Sequence, residues 1–524
     1  MDYIFERGKF TEAELEAAII EIFEQQGYQY VPGKNIHRKY DDILLIDDLK
    51  AYISDRYALE SLSDSEMKKI VNQIALIPAT PLYNGNRETF WLVNEGFDLV
   101  RDDISKVALH IDYIDYEHPE NNIFKVVNQY SVQDTHLRRP DLLVFINGIP
   151  IGICEFKTAI EEDKTIFEAW EQITICYSHD IPNLMKYCFL SIISDGVNTK
   201  MGSIFTSYEY YYSWNKANET DKVSNGISSL FTMIAGAFAK ERVVAIIRDF
   251  IFYPDDSKKN EAIICRYPQF FAANKMLANI KVHMRPQGDG KGGTYFGATG
   301  CGKTYTMLFL ARLIALRDCE AFQNPTIIII EDREDLDTQT SKLFVTAKKY
   351  LHEKDVRSIE DREDLGVTLR DKPSGGVYIT TIQKFCESIG LLSDRNNIIC
   401  ISDEAHRTQT GVGAKLKKTD DGVFTTYGFA KYLRDSFPVK STEEYKFCKL
   451  SSDIFTSIPS IPTAPFNTVL AINFPVAKTS ESFVNAFILD SRYMPLLISA
   501  IFSRPYNEII IHLFFLSFCK NLVS

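Results

Sequence analysis

The sequence predicts an α/β protein made of two successive blocks, and three observations carry that prediction. From about residue 292 to 437, short apolar runs alternate with helical stretches. That is the rhythm of a parallel sheet covered on both faces. Asn147 and Gly148 separate two β-like runs, a hairpin signal. Pro254, Asp255, Asp256 and Ser257 break the chain after a stretch of helical periodicity, which sets a boundary there.

The elements follow in chain order. Thr11, early acids and Gly27 bracket one helix. Residues 139–146 and 149–156 form the hairpin strands, and 226–253 carry helical spacing. In the second block, strands are expected at 292–296, 326–330, 376–381 and 397–402. Helices are expected at 305–316, 382–389 and 427–437, with a polar helix after residue 330. Beyond 438 the texture changes. Only 12 of the 84 residues from 441 to 524 are charged, about 14% against a usual share of roughly 25%.

Composition narrows the class. The chain has 524 residues, 45% hydrophobic and 24% charged. It is long enough for about three domains and is neither disordered nor collagen-like. A net charge of −12 argues against a protein that coats nucleic acid, while leaving room for a local basic groove. Ten scattered cysteines with no CxxC pair argue against a zinc ribbon and suit a reducing compartment, so a cytoplasmic location is expected. The charged N-terminus has no apolar signal region. The apolar run 509–519 is only 11 residues, against about 20 for a membrane span.

Gly297, Ala298, Thr299, Gly300, Cys301, Gly302, Lys303 and Thr304 fit the phosphate-loop pattern GxxxxGK[ST], between a strand and a helix. Backbone N–H groups of such a loop cradle phosphates. Lys303 is expected at the β- and γ-phosphates of ATP, and Thr304 at Mg²⁺. One hundred residues later Asp403 and Glu404 end a buried strand. Asp403 suits a Mg²⁺ contact and Glu404 the polarisation of an attacking water. Gln269, upstream, is a candidate for adenine recognition.

The hairpin carries a second constellation. Glu155 and Lys157 are two residues apart and share a face. A strict two-residue loop would set Asp141 against Cys154. A three-residue loop or a single bulge sets it against Glu155. An odd-length connection is therefore expected, with Gly148 left-handed. Asp141 and Glu155 could then hold Mg²⁺, with Lys157 beside the scissile phosphate. The triplet also fits a surface hairpin with a Glu155–Lys157 salt bridge. Arg138 and Arg139 are candidate phosphate contacts, or equally a solvated charge pair.

The order of these sites resembles the restriction (R, HsdR-type) subunit of type I restriction–modification enzymes. The resemblance runs from about Thr11 to Pro438 through "IHRKYDDILLIDDLKAYISDRY", "RRPDLLVFINGIPIGICEFK", "RYPQFFAANKM", "GATGCGKT", "EDREDLDTQ", "TTIQKF", "SDEAHRTQTG" and "YGFAKYLRDSFP". It implies a PD-(D/E)xK nuclease domain over 1–255, carrying Asp141, Glu155 and Lys157, with Glu16 as a further acidic metal ligand. It implies one RecA-like, superfamily 2 helicase-type ATPase domain over 256–438. The cofactors implied are Mg²⁺ and ATP. The partners are double-stranded DNA and the methyltransferase and specificity subunits.

Two departures stand out. The family's QxxxY element is represented by Gln172 and Tyr177, one residue too far apart. On an α-helix the extra residue rotates the pair by about 100°. No TGTP-type motif follows residue 438, so residues 439–524 stay unassigned and the chain is expected to be a truncated subunit, incomplete as a motor. Two alternatives accompany this reading: an inactive remnant, or a stand-alone ATP-regulated nuclease.

Overall fold

A computed structural model describes residues 11–157 and 166–403, apart from 225, 227, 256–258, 285–286, 289–290, 299, 332–333, 386–391 and 394, together with the backbone of strands at 415–419, 422–426, 467–474 and 487–489. The chain divides into two units. One comprises residues 1–253 and 257–267, the other 254–256 and 268–524.

In the first unit, helix α1 (Glu12–Gln25) starts where Thr11 accepts from the Glu14 N–H while Glu14 accepts from the Thr11 N–H. This reciprocal cap stabilises a helix start by about 1 kcal/mol. One face buries Leu15, Ile19 and Phe23, which leaves half-buried Glu16 on another.

Six strands form a mixed sheet in simple chain order: β1 (Gln29–Pro32), β2 (Phe124–Asn128), β3 (Leu142–Ile146), β4 (Ile149–Phe156), β5 (Leu190–Ser194) and β6 (Thr199–Gly202). β1 runs parallel to β2, and β4 to β5; the other pairs are antiparallel. Every residue of β3 and β4 is buried. The five apolar side chains of β3 together contribute on the order of 10 kcal/mol. That is enough to offset the several kcal/mol cost of desolvating a charged group among them.

Of the two routes expected for the hairpin between β3 and β4, a three-residue loop or a single bulge, the structure takes the bulge, with Gly148 left-handed as expected. The turn is a two-residue one, with Asn147 (φ 51°) and Gly148 (φ 80°) both left-handed. The odd residue sits instead in a bulge: Ile146 pairs with Ile149 and Phe145 with Pro150, then Val144 pairs with Gly152. From there Leu143 faces Ile153 and Leu142 faces Cys154. The ladder ends there; continued by one residue its register would set Asp141 across from Glu155, and the Asp141 carboxylate accepts the Phe156 N–H next to it. Buried Asn147 holds the turn by donating to the Tyr113 carbonyl and accepting from the Ile123 N–H. A Cβ at Gly148 would lie 2.2 Å from the Leu45 carbonyl oxygen.

In the second unit, a seven-stranded sheet has the order β9-β10-β8-β11-β12-β7-β13. Its strands are β7 (Lys291–Ala298), β8 (Thr326–Glu331), β9 (Val356–Ser358), β10 (Val377–Thr381), β11 (Ile398–Ser402), β12 (Asn467–Phe474) and β13 (Phe487–Leu489). All neighbours are parallel except β13. Ile327 to Ile330 of β8 and Ile398 to Ile401 of β11 are buried, as a sheet covered on both sides requires.

Two strands of this sheet come from the segment that sequence left unassigned. β12 lies between β11 and β7, pairing with both. The helix expected at 382–389 is a short 3-10 turn, Ile382–Phe385, in its described part. The helix expected at 427–437 lies outside the described residues. Among the described residues no helix is long and apolar enough to cross a membrane.

Candidate functional site

The bulge-set register brings the acids of the first unit together with an amine. Glu155, 2% exposed, accepts from Lys157 Nζ at 2.9 Å. Asp141 accepts the Phe156 backbone N–H at 2.8 Å through Oδ2. Burial, and then the charge of Asp141, push the Glu155 carboxyl up to about 8. Burial likewise raises Asp141, opposed by the Phe156 N–H and by Lys157. Two acids held high by desolvation form a site short of positive charge.

Glu16, on α1, is linked to Asp141 through Gln129, and the oxygens of Glu16, Asp141 and Glu155 do not all lie within 4.8 Å of one another. The two Glu16 oxygens accept from the side-chain amides of Asn128 (2.6 Å) and Gln129 (2.7 Å), and the Gln129 amide also reaches Asp141 Oδ1 at 3.4 Å. Neither amide was singled out from sequence. Two amide residues closing an apolar strand read as an ordinary turn, and only their polarity next to "FKVV" was a signal.

Gln172 and Tyr177 overturn the spacing objection. Gln172–Tyr177 is a single π-helical turn, which takes in one more residue than an α-turn. Gln172 Nε2 donates to the Tyr177 hydroxyl at 2.6 Å, and that hydroxyl donates to Glu155 Oε2 at 3.1 Å. Arg138 forms a charge pair, the other of its two expected roles: its guanidinium pairs with Asp180, Nε to Oδ2 at 2.6 Å. His179 and Arg138 hold the Asp180 carboxyl at about 2. His136, His179 and Asp180 are the one group of three such ligand residues, among those described, whose donor atoms lie within 4.8 Å of one another. Arg138 already compensates the charge of that carboxylate. The oxygens of Glu16, Asp141 and Glu155 are hard donors suited to Mg²⁺, and protein N–H, amide and ammonium groups now hold them.

The phosphate loop lies in the second unit, after β7. Helix α2 (Lys303–Arg312) begins at Gly302, whose φ is 80°. A Cβ there would lie 2.5 Å from Gln269 Nε2. Lys303 is buried and its Nζ donates to the Gly297 carbonyl at 3.2 Å. Gln269, 4% exposed, donates to the carbonyls of Cys301 and Gly302. Its amide nitrogen therefore braces the loop, a contact sequence did not foresee. Gly297, Ala298, Gly300, Cys301 and Thr304 are all in or beside this turn. Asp403 follows β11, its N–H bonded to the Ile330 carbonyl. Since β7 and β11 are parallel to β12, the loop and Asp403 share the carboxyl edge of the sheet, where such folds bind ligands. Thr299 and Glu404 lie outside the described residues.

Fold and site together define a nuclease-like α/β domain followed by a helicase-like ATPase domain. Residues 9–210 match the family described as Type I restriction enzyme R protein N terminus, and residues 268–442 match SWI2/SNF2 ATPase. The chain thus carries the N-terminal domain of type I restriction R proteins and a SNF2-type ATPase domain. It is 29% identical over 449 residues to the type I restriction enzyme HindI endonuclease subunit of Haemophilus influenzae, covering 82% of this chain and 41% of that protein. It is 30% identical over 438 residues to the putative MjaIXP endonuclease subunit of Methanocaldococcus jannaschii, covering 76% and 40%. A type I restriction endonuclease subunit of Staphylococcus aureus is 26% identical over 460 residues, covering 85% and 44%. The chain spans about two fifths of the length of these relatives.

Proposed function

We propose that this chain provides the nuclease and the ATP-binding portion of the restriction subunit of a type I restriction–modification system. The observation that carries the reading is the bulge-set register, which continued by one residue would put Asp141 across from Glu155, with Lys157 on the Glu155 carboxylate. Asp141, Glu155 and Glu16 would hold Mg²⁺, which supplies Lewis acidity toward the scissile phosphate of DNA when bound. Lys157 offers a positive charge where the phosphate gains negative charge. Tyr177 orients Glu155 through its hydroxyl, and Gln172 orients Tyr177. In the second unit the loop N–H groups and Lys303 hold the phosphates of ATP, while Thr304 and Asp403 serve its Mg²⁺. Glu404 would polarise the attacking water. Sequence recognition falls to specificity and methyltransferase subunits, so the chain itself reads DNA through its backbone.

The test is Mg²⁺-dependent cleavage of duplex DNA by the chain, alone and with such partners. Asp141→Ala should remove cleavage and keep nucleotide binding. Lys303→Ala should do the reverse for nucleotide binding. Cleavage that survives Asp141→Ala sinks the assignment. Cutting by the isolated chain at its full rate would favour a stand-alone nuclease.

A further inference from the structure

The Asn128–Gln129 pair has no part in the expectations above, yet it touches two of the three candidate acids. Asn128 ends β2 and Gln129 follows it in a left-handed conformation, φ 49°. Non-glycine residues seldom adopt that backbone, and where they do it is held by surroundings. Here the Gln129 N–H donates to the Asp141 carbonyl at 2.9 Å. The bend places the Gln129 amide between Glu16 Oε2 (2.7 Å) and Asp141 Oδ1 (3.4 Å). A primary amide has two N–H donors, one for each acid. Asn128 plays a different part. Among the described residues its side chain donates to Glu16, at Oε1, and its own oxygen accepts from the Tyr30 hydroxyl at 3.1 Å.

We propose that Gln129 is a positioning residue that guards the cation site. Its amide nitrogen stands in for positive charge between Glu16 and Asp141, and a divalent cation gains those oxygens only by displacing it. Asn128 keeps the other Glu16 oxygen and aims the carboxylate, as outer hydrogen bonds do for metal ligands. This rests on the reading of Glu16 and Asp141 as cation ligands. The two amides therefore act in opposite directions: Gln129 competes with the ion, and Asn128 prepares its ligand.

The experiment is Mn²⁺ binding to the full chain, followed by electron paramagnetic resonance at fixed pH. Gln129→Met keeps the size and removes the donors. Gln129→Gly accepts the positive φ and guards against misfolding. Both should tighten Mn²⁺ binding about tenfold, the effect of one charge-assisted hydrogen bond no longer competing. Asn128→Ala should weaken it. A merely structural role for Gln129 cannot produce a gain in affinity. Unchanged or weaker binding in both Gln129 variants, with Asp141→Asn still abolishing it, overturns the inference. Binding that survives Asp141→Asn instead overturns the cation-site reading on which it rests.

Discussion

Tyr177 donates its hydroxyl to Glu155 Oε2 across 3.1 Å, from a helical turn that holds one residue more than an α-turn. The bond removes part of the pressure that burial puts on Glu155, whose carboxyl would otherwise stand higher still. It makes the hydroxyl a handle on both the position and the charge of that acid.

Tyr177→Phe should lower the maximal rate of DNA cleavage about tenfold, the usual size of one hydrogen bond to a charged group. It should also move the acid limb of the pH–rate profile upward, because Glu155 loses a donor. Nucleotide binding should not change. A rate loss with an unmoved profile would mean that the ring packs rather than tunes.

The raised Glu155 carboxyl makes the metal-free protein pH-sensitive in a defined direction. Its folded value is about 8, against roughly 4.3 for an unperturbed glutamate. Between those values the folded state binds more protons than the unfolded state, so stability falls as pH rises from about 5 to about 8. Urea titrations in a chelating buffer should show that slope, and Glu155→Gln should flatten it. Adding Mn²⁺ should reverse it in the parent protein.

Gly148→Ala tests the hairpin that sets the register. The site needs a positive φ, costing about 1–2 kcal/mol for a residue with a Cβ, and that Cβ would meet the Leu45 carbonyl. A loss of at least about 2 kcal/mol in the first unit is expected by chemical denaturation. A neutral result would show that the turn relaxes without cost.

Gly302→Ala should abolish ATP binding measured by calorimetry while leaving the Mn²⁺ affinity of the first unit intact. The left-handed backbone and the Gln269 amide both exclude the added carbon. Retained ATP affinity would show that Gln269 does not brace the loop.

Some of this was legible in the residues because it depends on local chemistry. Thr11 and Glu14 announce the first helix since a cap needs only its own turn. The phosphate loop reads from its glycines and lysine because neighbouring backbone builds it. Asn147 and Gly148 announced a turn but not where the extra residue would go. A bulge in β4 and a longer loop serve the register equally, and packing against Leu45 and Tyr113 favours the tight turn. Likewise β12 was an apolar run, "NTVLAINF", in a stretch whose low charge hid its partners.

What sequence determined by itself was the two-block α/β plan, the phosphate loop, and the need for Asp141 and Glu155 to share a face. Those follow from periodicity and spacing, which short-range forces enforce. What only tertiary structure decided was which device delivered the shared face, how a π-turn restored Gln172 to Tyr177, and that Gln129 stands between Glu16 and Asp141. These rest on contacts between residues far apart in the chain, and nothing local distinguishes an amide aimed at solvent from one held between two half-buried acids.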